Sequence, residues 1–147
     1  DINALGLNIA QGLIFTETWY WDLNDNSRAW TKRWQAERGA TGKVPTMNMA
    51  GVYAGTLHYL KAVTALKASA DGKAVVAEMK KLPTDDPLFG KGTIRADGRK
   101  LHPAYLFEVK KPSESKYPGD FYKTRATIPA DEAFRPLKEG GCPLVSG

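Results

Sequence analysis

The sequence predicts an α/β protein in which helices pack on a sheet and a β-hairpin lies toward the C-terminus. Three observations predict it. Residues 13 to 21, Leu-Ile-Phe-Thr-Glu-Thr-Trp-Tyr-Trp, are β-branched and aromatic, the composition of an extended strand. Between 27 and 82 apolar residues return at helical spacing, punctuated by Gly39, Gly42, Pro45 and Pro83. Past Pro83 the period changes to two on either side of Asp97-Gly98, a strong hairpin turn pair.

In chain order, Asn3 to Gly12 suits a short helix or turn leading into a strand. In the strand of 13 to 21, alternation puts Phe15, Glu17, Trp19 and Trp21 on one side and Ile14, Thr16, Thr18 and Tyr20 on the other. Asp22 to Asn26 offers several N-caps for a helix over Ser27 to Arg38, with Ala29, Trp30, Arg33 and Trp34 near one face. From Met49 to Lys67, Val52, Leu57, Leu60, Val63 and Leu66 describe a long, largely buried helix. Asp71 or Gly72 starts another, Lys73 to Leu82, with Val75, Val76, Met79 and Leu82 inward and Lys73, Lys80 and Lys81 outward. Thr93 to Ala96 and Leu101 to Lys110 flank the hairpin turn, and a loop at 111 to 120 leads to a last short strand around Phe121 to Ile128. Beyond Pro129 a turn or short helix precedes an irregular tail to Gly147.

The 147 residues suit one ordinary domain, and a hydrophobic content of 42% suffices for a core. The chain opens Asp1-Ile2-Asn3 with neither an initiator Met nor a leader, so it reads as processed or as a piece of something longer. No apolar run approaches the length of a membrane span. One cysteine, Cys142, excludes an intrachain disulfide framework and a Cys-based zinc site. Residues 89 to 125 hold nine Lys/Arg against four Asp/Glu and so account for the whole net charge of +5.

No Gly-rich phosphate loop is present, so no nucleotide cofactor is expected. His58 and His102 have no carboxylate at ligand spacing, and there is no Gly-x-Ser-x-Gly elbow; neither a metal site nor an enzyme is expected. The basic segment interleaves Arg95, Arg99, Lys100, Lys110 and Lys111 with Phe89, Tyr105 and Phe107, which suggests a nucleic-acid-binding domain. Alternation weighs against that reading, because Tyr105, Phe107 and Val109 share one face and Leu106, Glu108 and Lys110 the other, leaving the cations as a solvated edge.

The cluster Thr16 to Asp22 remains. Three adjacent aromatics on a strand must point to both faces, so at least one meets a cavity, a partner or solvent. With Thr16, Glu17 and Thr18 beside them they match the composition of a small-molecule pocket, and equally that of a structural aromatic cluster. Asn48, Met49 and Tyr53 begin the long helix, where free N–H groups favour an anion.

Several ordered segments resemble the C-terminal part of type I periplasmic substrate-binding proteins, of the branched-chain amino-acid-binding kind that serves ABC importers. They are Tyr20 to Asn24, Val44-Pro45-Thr46-Met47 leading to Ala50-Gly51-Val52-Tyr53, His58 to Val63, Gly92 to Arg99 and Gly141 to Val145. Members of that family are more than twice as long. The resemblance implies a partial type I fold in the periplasm, with no catalysis and no cofactor. Residues 1–12 would end a second-lobe segment, 13–22 form a crossing strand and 23–90 the helical part of the first lobe. Residues 91–147 would supply the hairpin, the final crossing and the C-terminal segment. It further implies that Thr16, Glu17, Trp19, Tyr20, Asn48, Met49 and Tyr53 contact the ligand, a small organic acid. That acid would be an aromatic carboxylate or a branched-chain amino acid, captured by lobe closure and passed to an ABC permease.

A strand from the edge of a parallel sheet and three amphipathic helices would leave apolar faces open, so the fold is expected to be completed by self-association, as a homo-oligomer that pairs or exchanges strands. Two alternatives stand beside solute binding: a self-associating truncated module without a ligand, and a basic nucleic-acid-binding domain.

Overall fold

The computed structural model describes residues 1–143 and Val145. Of the expected tail to Gly147, Leu144, Ser146 and Gly147 lie outside the described residues. The elements are helices α1 (Ile2–Leu5) and α2 (Leu7–Ala10), strand β1 (Ile14–Glu17), helices α3 (Asp25–Arg38), α4 (Met47–Leu66) and α5 (Gly72–Lys81), then strands β2 (Thr84–Asp86), β3 (Gly90–Gly92), β4 (Ala104–Val109) and β5 (Tyr122–Ile128). They form two compact units. Residues 1–47 and 104–128 make the first, and 48–103 with 129–147 the second.

The first unit is built on a three-stranded sheet of order β1-β4-β5, antiparallel throughout, which corrects the expectation of a parallel edge. Phe15 stands opposite Phe107 and Thr16 opposite Leu106. On β4 the pleat works as its alternation predicts: Phe107 and Val109 are buried, while Glu108 faces outward and pairs with Lys123 and Arg125 of the neighbouring strand. The Phe107 ring lies 5.9 Å from Phe15, 5.7 Å from Tyr20 and 5.7 Å from Tyr122, the centre of an aromatic core.

Helix α3 begins where Asn24 accepts a hydrogen bond from the Ser27 amide and ends at Gly39 in the left-handed region. Its buried stripe is Ser27, Trp30 and Thr31, whereas Ala29 and Arg33, expected near that face, are exposed. Small residues tolerate either side of a helix, so the bulky Trp30 sets the orientation.

In the second unit the buried stripe of α4 is Ala50, Ala54, His58 and Ala62, four residues apart. Val52 and Leu60, expected inside, are 71% and 52% exposed. Helix α4 is apolar on both sides, so spacing alone could not choose between a small-residue face and a bulky one. A ring nitrogen of His58, Nε2, lies 2.8 Å from the Met79 carbonyl and joins α4 to α5. The Asp71 side chain accepts from the Lys73 and Ala74 amides to start α5, which buries Val75 but leaves Val76 half exposed, against expectation.

The expected hairpin around Asp97-Gly98 reduces to a tight turn closed by one bridge between Ile94 and Lys100. Pro103 lacks an N–H for a ladder, and β4 starts only after it, with β1 and β5 as partners. The β2–β3 pair was not foreseen, since three-residue strands of Asp and Gly leave no alternation to read. Buried Asp86 organises this region: it accepts from the Leu88 and Phe89 amides and pairs with Lys100 at 2.5 Å.

Replacing the central ring by Phe107→Ala is expected to lower unfolding free energy by about 3–5 kcal/mol, read from denaturant titration.

Candidate functional site

The pleat of β1 sends Phe15 and Glu17 toward the aromatic core side and Thr16 to the other. The strand then stops. From Thr18 the backbone leaves the sheet and turns at Trp21-Asp22, so the expected extended run over 13 to 21 ends four residues early. This bend removes the constraint that adjacent aromatics occupy opposite faces. Trp19 and Tyr20 are both buried, Trp19 edge-on to Trp30 at 5.5 Å and Tyr20 against Tyr122 at 4.6 Å.

The turn before β5 holds them. Gly119 has φ +85°, and a Cβ there would lie 3.3 Å from the Trp21 ring and from Val44. Its carbonyl accepts hydrogen bonds from the Tyr20 hydroxyl and, at 2.9 Å, from the Trp21 indole N–H. The Tyr20 oxygen in turn accepts from the Phe121 amide at 3.0 Å. Tyr117 donates to the Asp22 carboxylate at 2.5 Å, closing the same turn from its other end.

These elements surround a cleft of about 540 Å³ within the first unit, walled by Glu17, Trp19, Tyr20, Trp21 and Tyr122 and bordered by the 42–47 segment and the 118–122 turn. That volume suits a small organic molecule. Two features are chemically unsettled. Glu17 is half-buried, and burial raises its carboxyl above the ordinary carboxylate range, an effect partly offset by the α-amino group of Asp1. It enters no ion pair or hydrogen bond among the described residues. The Trp19 indole N–H is buried and has no hydrogen-bond partner among the described residues. Burial and the neighbouring Glu17 charge push the Tyr122 phenol up to about 12, and burial raises Tyr20 as well; both remain neutral hydroxyls at physiological pH.

Of the residues expected at a ligand, Glu17, Trp19 and Tyr20 line this cleft. Thr16 does not: the alternation that turns Glu17 inward leaves Thr16 exposed on the opposite face. Asn48, Met49 and Tyr53 belong to the second unit, on the first turns of α4. Sequence reasoning missed Phe121, Tyr122 and the Gly119 carbonyl. The available signal was Pro118-Gly119-Asp120, turn chemistry directly before two aromatics.

The basic segment presents paired rather than free charge at most of its cations. Arg95 binds Asp97 at 2.6 Å, Lys110 binds Asp120, and Lys123 bridges Glu108 and Glu114 at 3.1 and 2.9 Å. Arg99 lies 5.2 Å over the Phe134 ring. No helix among the described residues is long and apolar enough to cross a membrane, and no cluster of three metal-ligating side chains occurs among them.

The periplasmic binding protein family model matches residues 1–116. Comparison with curated protein sequences gives no match. Among solved structures, a periplasmic binding protein from Burkholderia mallei is 44% identical with a TM-score of 0.90, aligned over 99% of this chain and 37% of its own. A branched-chain amino acid ABC transporter periplasmic ligand-binding protein from Burkholderia xenovorans is 39% identical with a TM-score of 0.89, aligned over 98% of this chain and 37% of its own. A solute-binding protein of an ABC transporter from Rhodopseudomonas palustris, in complex with 3,4-dihydroxybenzoic acid, shares the fold at 21% identity and a TM-score of 0.69, over 88% of this chain and 34% of its own. The chain thus spans little more than a third of the length of these relatives.

The state of Glu17 gives a test that needs no ligand. Its folded-state pKa is raised, so the folded protein binds the proton more tightly than the unfolded chain does. Glu17 therefore weighs least on stability below the unfolded pKa, and its cost grows as pH rises through the folded pKa. Glu17→Gln is expected to raise the melting temperature at pH 7, with the gain vanishing near pH 3.

Proposed function

Because the chain belongs to the periplasmic binding protein family, we propose that it is the solute-binding component of an ABC-type importer, or a truncated form of one, and that its cleft takes an apolar amino acid in the periplasm. The family is one of binding proteins, not of enzymes. The branched-chain ligand class named for the 39% identical relative supports this reading. So does the observation on which it rests: an unpaired, half-buried Glu17 carboxylate set against an aromatic wall.

An amino acid suits both the charge and the rings of that site. Its ammonium group supplies a cation to pair with Glu17, which favours the ionised carboxylate. Its side chain covers the Tyr20, Trp21 and Tyr122 rings. A plain aromatic carboxylate is the competing ligand. It gains the same rings but sets an anion beside Glu17, so protonation of Glu17 favours it. In either case capture proceeds by closure of two lobes, driven by the ligand's differential affinity for the closed state, and the bound solute is presented to a membrane permease.

Calorimetric titration with L-leucine and with 3,4-dihydroxybenzoate separates the two. Leucine is expected to bind at pH 7 and to lose about a hundredfold in affinity with Glu17→Gln, while dihydroxybenzoate gains. Trp19→Ala and Tyr20→Ala are expected to weaken both ligands. Identical heats for the wild type and these variants would remove the residues from the site.

We also propose that the chain self-associates. Strand β1 lies at a sheet edge, with Leu13 and Ile14 each about half exposed there and Ile9 75% exposed nearby. Size-exclusion chromatography with light scattering is expected to give a dimer at micromolar concentration; a stable monomer would overturn this. A dimer with no thermal shift from either ligand would favour the module that no longer binds solute.

A further inference from the structure

The aromatic wall of the cleft is held by a turn, and the turn by a charge. Asp120 is 1% exposed. One carboxylate oxygen, Oδ1, pairs with the Lys110 ammonium from the end of β4, and the other, Oδ2, accepts from the Lys116 amide at 2.9 Å. Its own backbone N–H donates to the Tyr117 carbonyl at 3.1 Å, and the Lys110 amide donates to the Phe121 carbonyl at 2.8 Å. Both oxygens of one buried carboxylate therefore fix the segment 116–121 on the end of the sheet. That segment presents the Gly119 carbonyl, on which the Tyr20 hydroxyl and Trp21 indole converge.

We propose that Asp120 is the positioning residue of the cleft: touching no ligand, it sets the Gly119 carbonyl through its pair with Lys110 and its bond from the Lys116 amide, and so fixes the rotamers of Tyr20 and Trp21 that a ligand meets. The effect on affinity rests on the solute-binding reading above; the effect on the wall does not. A buried ion pair is seldom worth much net stability over an apolar pair, but breaking one side leaves the other charge stranded. Lys110, whose side chain already reaches solvent, then turns outward, and the 116–121 segment loses its anchor on the sheet, freeing the Gly119 carbonyl to move. Glycine at 119 leaves no side chain to brace the turn independently.

The test follows the indole N–H resonance of Trp21, assigned with Trp21→Phe, in the full chain. In Asp120→Asn this resonance is expected to move and the Lys116 and Phe121 amides to exchange at least ~10-fold faster, while the indole resonances of Trp30 and Trp34 stay in place. Affinity for L-leucine is expected to fall about tenfold. Lys110→Gln, which keeps the Asp120 bond to the Lys116 amide, provides a second variant should Asp120→Asn not fold, and is expected to act in the same direction. A folded variant with a lowered melting temperature but an unmoved Trp21 resonance overturns the proposal, leaving Asp120 a stabilising residue only. A moved resonance with unchanged leucine affinity overturns its role in binding. If the wild type binds neither leucine nor 3,4-dihydroxybenzoate, the solute-binding reading fails, and the Trp21 resonance still decides whether Asp120 positions the wall.

Discussion

The carbonyl of Gly119 receives the hydroxyl of Tyr20 and the indole N–H of Trp21, two groups from a segment about a hundred residues earlier. Each donor would cost about 1–3 kcal/mol if it were buried without such an acceptor. The bend after β1, the burial of Trp19 and Tyr20 and the cleft between them and Tyr122 all presuppose this meeting.

Much of the fold could be read from local chemistry, and the failures share a cause. Helices α3, α4 and α5 follow from caps at Asn24 and Asp71 and stops at Gly39 and Pro83, and β4 and β5 from composition and alternation. Which face of α4 turns inward was not legible, because Ala50, Ala54 and Ala62 compete with Val52 and Leu60 and only tertiary packing decides. The site was half legible. Glu17, Trp19 and Tyr20 stand out as polar and aromatic neighbours, but the alternation that assigned their sides fails once the backbone bends at Thr18. The opposite wall, Phe121 and Tyr122, comes from a turn and the start of a strand whose proximity no local pattern encodes.

The two kinds of charge in the first unit also contrast. Asp120, Glu108 and Glu114 are each matched to lysine or arginine, and the latter two are held below the usual carboxylate range, first by the hydrogen bond from Lys123. Glu17 shifts the other way. A chain with cations to spare leaves one carboxylate half-buried and unmatched, and it does so at the wall of its aromatic cleft.

The pairing of β1 with β4 has a kinetic consequence. Phe15 meets Phe107 across about ninety residues, most of which belong to the other compact unit. Closing so long an interval must precede any gain from the aromatic core, so the helices of the second unit can form on local contacts while the sheet waits. During synthesis β1 and the aromatic segment after it emerge well before their partner strand. For that interval Trp19, Tyr20 and Trp21 lack the strand that will cover them.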